Sequence, residues 1–177
     1  TGDISLRFLR GGGGEACITD INHAMLAAGR GRRDLQRLAH RLSWCVANAE
    51  SLPFDDHSAD FVTIAFGLRN VTDRQAALHE AYRILKPGGR FLCLEFSHVQ
   101  SRPLAKLYDS FSFNILPVMG QVIAGDADSY RYLAESIRTF PSKEMLADMF
   151  AEASFAQIRV RSLSAGIACI HSGWKLD

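Results

Sequence analysis

Short apolar runs rich in β-branched residues alternate along this chain with segments whose apolar positions recur at helical spacing. This alternation is typical of parallel βαβ units. It predicts strands at Ala16–Thr19, Trp44–Ala47, Phe61–Phe66 and Arg90–Phe96, and helices at about His23–Arg33, Thr72–Leu85 and Lys143–Ala153. Thr72 beside Asp73 is the expected N-cap of the second helix, and Pro87 with the two glycines after it is the expected stop.

The pattern changes near the C-terminus. Phe155–Leu163 and Ile167–Trp174 are predicted strands joined only by a Ser-Ala-Gly turn. So short a connection requires an antiparallel hairpin, because parallel strands need a long crossover. The predicted fold class is therefore α/β, with a mostly parallel, doubly wound sheet, helices on both faces and a C-terminal antiparallel hairpin.

A long apolar stretch between about residues 101 and 141 interrupts this order and passes into the polar sequence GDADSYRYLAESIR. It is too long for one more strand. One interpretation is an extra pair of helices packed on the sheet edge. A second adds that these helices wall an apolar substrate cavity over the carboxyl ends of the strands, where open α/β sheets bind ligands. Residues 1–177 are then one domain with a helical substrate-cover insertion.

Composition narrows the class of protein. The 177 residues are 47% hydrophobic and carry a formal net charge of +1, which suits one globular domain and offers no basic face for nucleic acid. The basic stretch from Arg30 to Arg41 favours a solvated helix face over a phosphate or lipid-headgroup site. No apolar run approaches the roughly 18 residues of a membrane span, and the first residues show no secretory or transit pattern.

The cysteines and histidines are dispersed. Cys17, Cys93 and Cys169 fall inside predicted buried strands, which indicates reduced core residues rather than a disulfide framework. There is no CxxC pair, and the six histidines lack the close spacing of metal ligands, so no metal site is predicted. His171 on the last strand favours a structural role over that of a base.

Polar side chains follow the first two predicted strands directly. Asp20 closes the first strand, where an acidic residue can accept hydrogen bonds from ribose hydroxyls. A helix cap is an equal alternative, since Asp20 or Asn22 could cap the next helix. Asn48 follows the second strand, a placement that suits readout of an adenine edge and also an ordinary turn.

Arg69 and Asn70 follow the third predicted strand, in the sequence FGLRNVTD. An arginine is almost never fully buried unless it is paired. Either the chain surfaces here and Arg69 pairs with Asp73 or Glu95, or the sheet delivers a guanidinium and an amide to a pocket.

Eight segments of the chain stand in the order and context of one enzyme family. They are TGD, TDIN, NAESLPF, FGLRNVTD, YRILKPGGRFLCLEFS, YDSFSFNILP, GDADSYRYLAESIR and GIACIHSGWK. Over essentially its whole length the chain resembles the ubiquinone/menaquinone biosynthesis C-methyltransferase family. The resemblance implies a seven-stranded class I methyltransferase sheet, S-adenosylmethionine as donor, and methylation of a ring carbon of a polyprenylated benzoquinol or demethylmenaquinol.

The resemblance also implies the residues that bind the donor: Thr1 in the glycine-rich turn, Asp20 at the ribose, Asn48 and Ala49 at the adenine, and Ala65. Ala65 stands where relatives often have a serine, so the backbone is expected to serve there. The family's first strand and most of its glycine turn do not precede Thr1. That strand would lie between Ala16–Thr19 and Phe61–Phe66, so the 177-residue chain is expected to expose two apolar edges and to be unstable or to bind the donor poorly.

Arg69 and Asn70 suit stabilisation of an anionic quinol ring in a dry pocket. Arg69 itself cannot accept the proton because it stays charged. Asp128 and Tyr130, with Asp126 or a water held by Arg69, are the candidates for that step. Tyr130 and Tyr132 could equally be core aromatics.

Two other functions fit parts of the sequence. Tyr82 and Lys86 have the spacing of a nicotinamide-dependent short-chain oxidoreductase, but they lie at the end of a helix next to the wrong strand. A non-catalytic assembly subunit of quinone biosynthesis would explain the missing glycine turn, but it would have no use for Asp20, Asn48, Arg69 and Asn70.

The resemblance further implies where the protein works and with what. A polyprenylated quinol substrate implies peripheral membrane association, in the bacterial cytoplasm at the inner membrane or in a mitochondrial matrix. The resemblance leaves open whether the protein forms a homodimer or joins a quinone-biosynthesis complex.

Overall fold

The computed structural model describes residues 2–97 and 127–177, without the side chains of residues 127, 129 and 130. Its helices are α1 (Asp3–Arg10), α2 (His23–Arg30), α3 (Arg33–Gln36), α4 (Arg74–Ile84), α5 (Ala127–Arg138) and α6 (Lys143–Glu152). Its strands are β1 (Ala16–Asp20), β2 (Leu42–Val46), β3 (Ala59–Ala65), β4 (Leu85–Phe96), β5 (Ala156–Leu163) and β6 (Ala168–Trp174). Short 3-10 turns lie at Ala39–Arg41, Leu68–Asn70 and Ser164–Gly166. Of the expected insertion at 101–141, residues 101–126 lie outside the described residues.

The chain divides into two compact units, Thr1–Pro53 and Phe54–Asp177. The first contains a parallel pair of strands in which Ala16 faces Leu42 and Asp20 faces Val46. Each unit therefore has its own sheet. Strands β1 and β3, between which the family sheet would have one further strand, belong to different sheets.

The helices of the first unit begin and end at identifiable residues. Gly2 precedes α1 with φ of 86°, and a Cβ at this glycine would lie 2.7 Å from the Leu35 side chain. Asn22 caps α2 by accepting a hydrogen bond from the Ala24 N–H. The predicted helix to Arg33 was too long, because α2 ends at Arg30 and Arg32 is extended before α3 begins.

One predicted core position of the first unit was wrong. Cys17 is exposed, whereas Ile18 is buried. Successive side chains of a strand point to opposite faces, so β1 buries one face and leaves Cys17 and Thr19 on the other.

The second unit contains a four-stranded sheet in the order β3-β4-β6-β5. Strands β3 and β4 are parallel, and β6 is antiparallel to both β4 and β5. The predicted C-terminal hairpin is confirmed, with each strand starting one residue later than expected. Its turn contains Ala165 and Gly166 in the left-handed region, at φ of 56° and 94°.

Helix α4 leads directly into the central strand of this sheet. Asp73, not Thr72, is its N-cap, and the Asp73 carboxylate accepts a hydrogen bond from the Ala76 N–H at 2.9 Å. The helix ends at Ile84, and β4 starts at Leu85, before the proline and glycines expected to stop the helix. Apolar residues then alternate along β4, so this strand carries much of the core.

Three phenylalanines form the centre of that core. The rings of Phe91, Phe150 and Phe155 lie 5.2 to 5.4 Å apart, and all three are buried. His171 lies against Phe150, and its Nε2 is 2.8 Å from the Lys143 carbonyl oxygen. Burial lowers the pKa of His171, which favours the neutral ring and supports the structural role predicted for it.

In the described part of the chain, every helix is too short or too polar to cross a bilayer.

We expect Phe150→Ala to lower the free energy of unfolding by about 3–5 kcal/mol, because the change leaves a cavity among the aromatic rings. Urea denaturation measures this loss. Met145 lies on the same helix and is 59% exposed, so Met145→Ala is the matched control and should change stability by no more than about 0.5 kcal/mol. Equal losses in both variants would contradict the assignment of the core.

Candidate active site

Asp20 and Asn48 lie at the same edge of the two-stranded sheet. Asp20 ends β1, and the Ala47 N–H just beyond β2 donates to the Asp20 carbonyl at 3.1 Å. Asn48 and the half-buried Ala49 follow at once. The two parallel strands therefore present a carboxylate and an amide from their adjacent carboxyl ends, which is where open α/β sheets bind ligands.

The local hydrogen bonds leave part of each side chain for a ligand. The Asp20 carboxylate accepts from the Asn22 N–H at 2.8 Å through Oδ1, and the cap of α2 is Asn22 rather than Asp20. The Asn48 Oδ1 accepts from the Glu50 N–H at 3.1 Å, which orients the amide NH2 outward as a donor. A carboxylate for ribose hydroxyls and an amide for an adenine edge fit the expected donor. Thr1 lies outside the described residues.

A second group of predicted residues follows β3 in the other unit. Ala65 ends the strand, and residues 66–70 form what we call the strand-end turn. Phe66 has φ of 55°, a conformation that costs an aromatic residue of order 1–3 kcal/mol. Its N–H donates to the Leu94 carbonyl at 2.9 Å, and its ring lies 4.7 Å from that of Phe96. Such strain persists only where the surroundings fix the backbone, and it is concentrated at functional sites.

Arg69 forms a buried ion pair with Glu95 on β4. The Arg69 Nη1 lies 3.2 Å from Glu95 Oε2, and the two side chains are 12% and 1% exposed. The same nitrogen donates to the Phe66 carbonyl, and the guanidinium carbon lies 5.4 Å from the centre of the Phe96 ring. The pairing that the sequence set against a catalytic role is therefore present, while the catalytic role of Arg69 stays a prediction.

The Glu95 carboxylate also binds backbone. Its Oε1 accepts from the Arg69 N–H at 3.2 Å, and its Oε2 accepts from the Phe96 N–H at 3.1 Å. Burial raises the pKa of Glu95 above its ordinary value, and the Arg69 guanidinium opposes this rise.

The other candidate catalytic residues are held differently. The Asn70 Oδ1 accepts from the hydroxyl of Tyr132 on α5 at 3.0 Å. Asp128, on the first turn of α5, is 92% exposed and pairs with Arg131 at 3.1 Å. The Tyr130 side chain and Asp126 lie outside the described residues. Among the predicted catalytic residues, the structure thus brings Arg69 and Asn70 together and gives Asp128 a contact within its own helix.

Three residues of this arrangement were not predicted as part of a site. In the sequence Glu95 is only a candidate ion-pair partner for a structural Arg69, and no pattern there predicts the ring pair of Phe66 and Phe96. One signal was available, because Glu95 is the single charge in the apolar run FLCLEF. A charge inside a central strand must be paired.

Tyr82 and Lys86 are engaged in other contacts. The Tyr82 hydroxyl donates to the Asp177 carboxylate at 2.8 Å, and Lys86 Nζ pairs with Asp60 at 3.0 Å. Each of the two residues therefore has its own acidic partner. These separate contacts agree with the rejection of an oxidoreductase site.

We expect Arg69→Ala to lower the free energy of unfolding by about 3–5 kcal/mol at neutral pH, because it leaves the Glu95 carboxylate buried and unpaired. The loss should shrink toward pH 4, near the ordinary pKa of glutamate. The sign follows from the raised pKa of Glu95, since a carboxyl that is harder to ionise when folded favours folding at low pH and opposes it as pH rises through that pKa.

Urea denaturation at several pH values measures both effects. Lys86→Ala is the matched control, because it breaks an exposed pair with Asp60 and should cost less than about 1 kcal/mol. A loss from Arg69→Ala as small as that of the control, with no dependence on pH, would contradict the buried pair.

Solved structures similar to this chain have the fold of S-adenosylmethionine-dependent methyltransferases. A methyltransferase from Methanosarcina mazei has a TM-score of 0.64 and 23% identity, over 99% of this chain and 88% of its own. A possible histamine N-methyltransferase from Thermotoga maritima has a TM-score of 0.65 and 21% identity, over 95% and 75%. These likenesses show the class I methyltransferase fold alone.

Curated relatives are much closer in sequence. The ubiquinone/menaquinone biosynthesis C-methyltransferase of Cereibacter sphaeroides is 53% identical over 177 residues, which are 99% of this chain and 71% of that protein. The protein of the same name from Acidiphilium cryptum is 54% identical over 176 residues, with the same coverage. The model of the ubiE/COQ5 methyltransferase family matches residues 1–175. The chain therefore belongs to the ubiE/COQ5 methyltransferase family.

Proposed function

We propose that this chain transfers a methyl group from S-adenosylmethionine to a ring carbon of a polyprenylated benzoquinol or demethylmenaquinol. The observation that carries the proposal is the identity of 53% over 99% of the chain with relatives named for this C-methylation in quinone biosynthesis. Support comes from polar side chains at the carboxyl ends of parallel strands, where open α/β sheets bind ligands: Asp20 and Asn48 in the first unit, and Arg69 and Asn70 in the second.

Donor binding is assigned to the carboxyl ends of β1 and β2 in the first unit. Asp20 would accept hydrogen bonds from the ribose hydroxyls, and Asn48 and Ala49 would bind the adenine. The roles of Thr1 and Ala65 in donor binding stay predictions from the family resemblance. When bound, S-adenosylmethionine supplies a methyl group on a sulfonium, which an in-line nucleophile can attack. The task of the protein is to hold the attacking ring carbon close to that methyl group and aligned with it.

Quinol binding is assigned to the strand-end turn. The exposed Phe66, whose ring is tilted by 39° against that of Phe96, offers an apolar surface to an aromatic ring. Because the Asn70 Oδ1 accepts from Tyr132, the Asn70 amide keeps its NH2 to donate to a quinol oxygen. A ring carbon becomes nucleophilic when an adjacent hydroxyl loses its proton, and fixed donors would stabilise the resulting anion.

Arg69 contributes to this site as half of an ion pair. The Glu95 carboxylate balances the charge of Arg69, so the pair offers an oriented dipole at the strand-end turn rather than a free cation. Proton removal is assigned to Asp128 or Tyr130 on α5, the helix that also carries Tyr132. Asp128 has the exposure that proton exchange with water requires.

Donor binding can be tested by calorimetric titration of S-adenosylmethionine. Two versions should be compared: the 177-residue chain, and the same chain with the strand and glycine turn expected upstream of Thr1 supplied from the Cereibacter sphaeroides relative. In the version that binds, Asp20→Asn should weaken binding about 10- to 100-fold, because it removes a charge-assisted hydrogen bond worth roughly 1.5–3 kcal/mol.

Glu15→Gln is the matched control, since Glu15 is an exposed carboxylate just before the opposite end of the same strand. It should leave the affinity unchanged. Failure of both versions to bind, or equal weakening by the two substitutions, would contradict the donor-site assignment.

Peripheral membrane association is part of the proposal, because a polyprenyl tail keeps the substrate in the bilayer. We expect the protein to float with liposomes that contain a polyprenylated quinol. Liposomes without quinol are the control for nonspecific binding. A protein that stays entirely in the soluble fraction with both would contradict this part of the proposal.

A further inference from the structure

Glu95 is a carboxylate in the middle of a sheet. It lies on β4, which is hydrogen-bonded on one side to β3 and on the other to β6. The residue is 1% exposed. A buried ion pair seldom stabilises a protein more than apolar residues of the same size would, so stability alone does not explain a glutamate at this position.

Glu95 contacts both the backbone and the side chain of one residue. Its Oε1 accepts from the Arg69 N–H at 3.2 Å, and its Oε2 lies 3.2 Å from Arg69 Nη1. The Arg69 N–H belongs to the first turn of a 3-10 helix, whose N–H groups have no partner within the helix. Gly67, the residue at the cap position, has no side chain that could satisfy it. Glu95 therefore caps this turn from a neighbouring strand.

The contacts of Arg69 close the turn on itself. Its guanidinium links the Glu95 carboxylate to the carbonyl of Phe66, the residue in the left-handed conformation. The Asn70 N–H donates to the Gly67 carbonyl at 3.0 Å. Removing the carboxylate would release the backbone N–H of Arg69 and also the Arg69 guanidinium, which binds the Phe66 carbonyl. Because Asn70 is the next residue along the chain, its position would change as well.

We propose that Glu95 is a positioning residue of the active site, which fixes the strand-end turn so that Phe66, Arg69 and Asn70 face the quinol in one arrangement. This inference rests on the proposed function. Glu95 acts through Arg69 and does not itself contact substrate. This role differs from a purely structural one, because substitution of Glu95 should slow the chemical step more than it weakens substrate binding or folding.

The experiment compares Glu95→Gln with Glu95→Asp in the version of the chain that binds S-adenosylmethionine. Glutamine keeps the size of the side chain and loses its charge, and aspartate keeps the charge but is one methylene shorter. Asp60→Asn is the matched control, since Asp60 lies on the adjacent strand in an exposed ion pair with Lys86. Hydrogen exchange of the Arg69 amide and steady-state turnover of a short-tailed demethylated quinol are measured for each.

Glu95→Gln should lower kcat about 100-fold, as expected for a displacement of reacting groups by about 1 Å, with KM for donor and quinol within about threefold. The Arg69 amide should exchange at least about tenfold faster, because a neutral acceptor holds an N–H less strongly than a charged one. Glu95→Asp should recover part of kcat, and Asp60→Asn should match the unsubstituted protein. Combining Glu95→Gln with Arg69→Gln should cost no more than the worse single variant, because the two residues act as one unit.

Two results would overturn the positioning role. One is an unchanged kcat and unchanged Arg69 exchange in Glu95→Gln, and the other is a multiplicative loss in the double variant. If Glu95→Gln does not fold, Glu95→Asp with full kcat has the same meaning. Absence of methyl transfer by the unsubstituted protein would instead contradict the proposed function, and amide exchange would still test the contact between Glu95 and the turn.

Discussion

The buried ion pair of Arg69 and Glu95 is the constraint on which the candidate site depends. A carboxylate that is 1% exposed must be paired, and Arg69 is the side chain that pairs it. The same carboxylate binds the backbone of the turn, so the need to compensate one buried charge fixes the path of the chain after β3. That path places Arg69 and Asn70 just beyond the carboxyl end of β3.

Within each unit, the placement of the candidate residues also depends on the direction of the strands. In each unit, polar side chains that could bind a ligand lie where parallel strands end. They are Asp20 at the end of β1 and Asn48 after β2 in the first unit, and the strand-end turn after β3 in the second. The antiparallel hairpin β5–β6 contributes packing instead, since β6 pairs with β4 in the sheet and carries His171 against Phe150. The proposed donor and quinol positions thus lie at the ends of parallel strands, whereas the aromatic core stabilises the second unit.

Much of the fold was readable from the sequence, since every predicted strand is present and the hairpin was placed within one residue. The predicted ends of the helices were less accurate. Helix α2 ends at Arg30 with Gly31 as its C-cap, before the expected Arg33, and Asp73 rather than Thr72 caps α4. Cys17 was predicted to be buried because it lies in an apolar run, but the alternation of side chains along β1 leaves it exposed.

The candidate site was only partly readable. Strand ends located Asp20, Asn48, Arg69 and Asn70, because parallel strands deliver their following residues to one edge. The partners of these residues could not be predicted in the same way. Glu95 and Tyr132 are 26 and 62 residues away along the chain from the residues they bind. Contacts of that kind depend on strand register and helix packing, which a single sequence does not specify.

Assay of methyl transfer tests C-methylation of a quinol most directly. The version of the chain that binds S-adenosylmethionine would be given donor labelled in its methyl group and a short-tailed demethylated quinol kept in the reduced state. We expect the label on a ring carbon of the quinol. Label on a ring oxygen, or tight donor binding with no labelled product, would contradict C-methylation of a quinol.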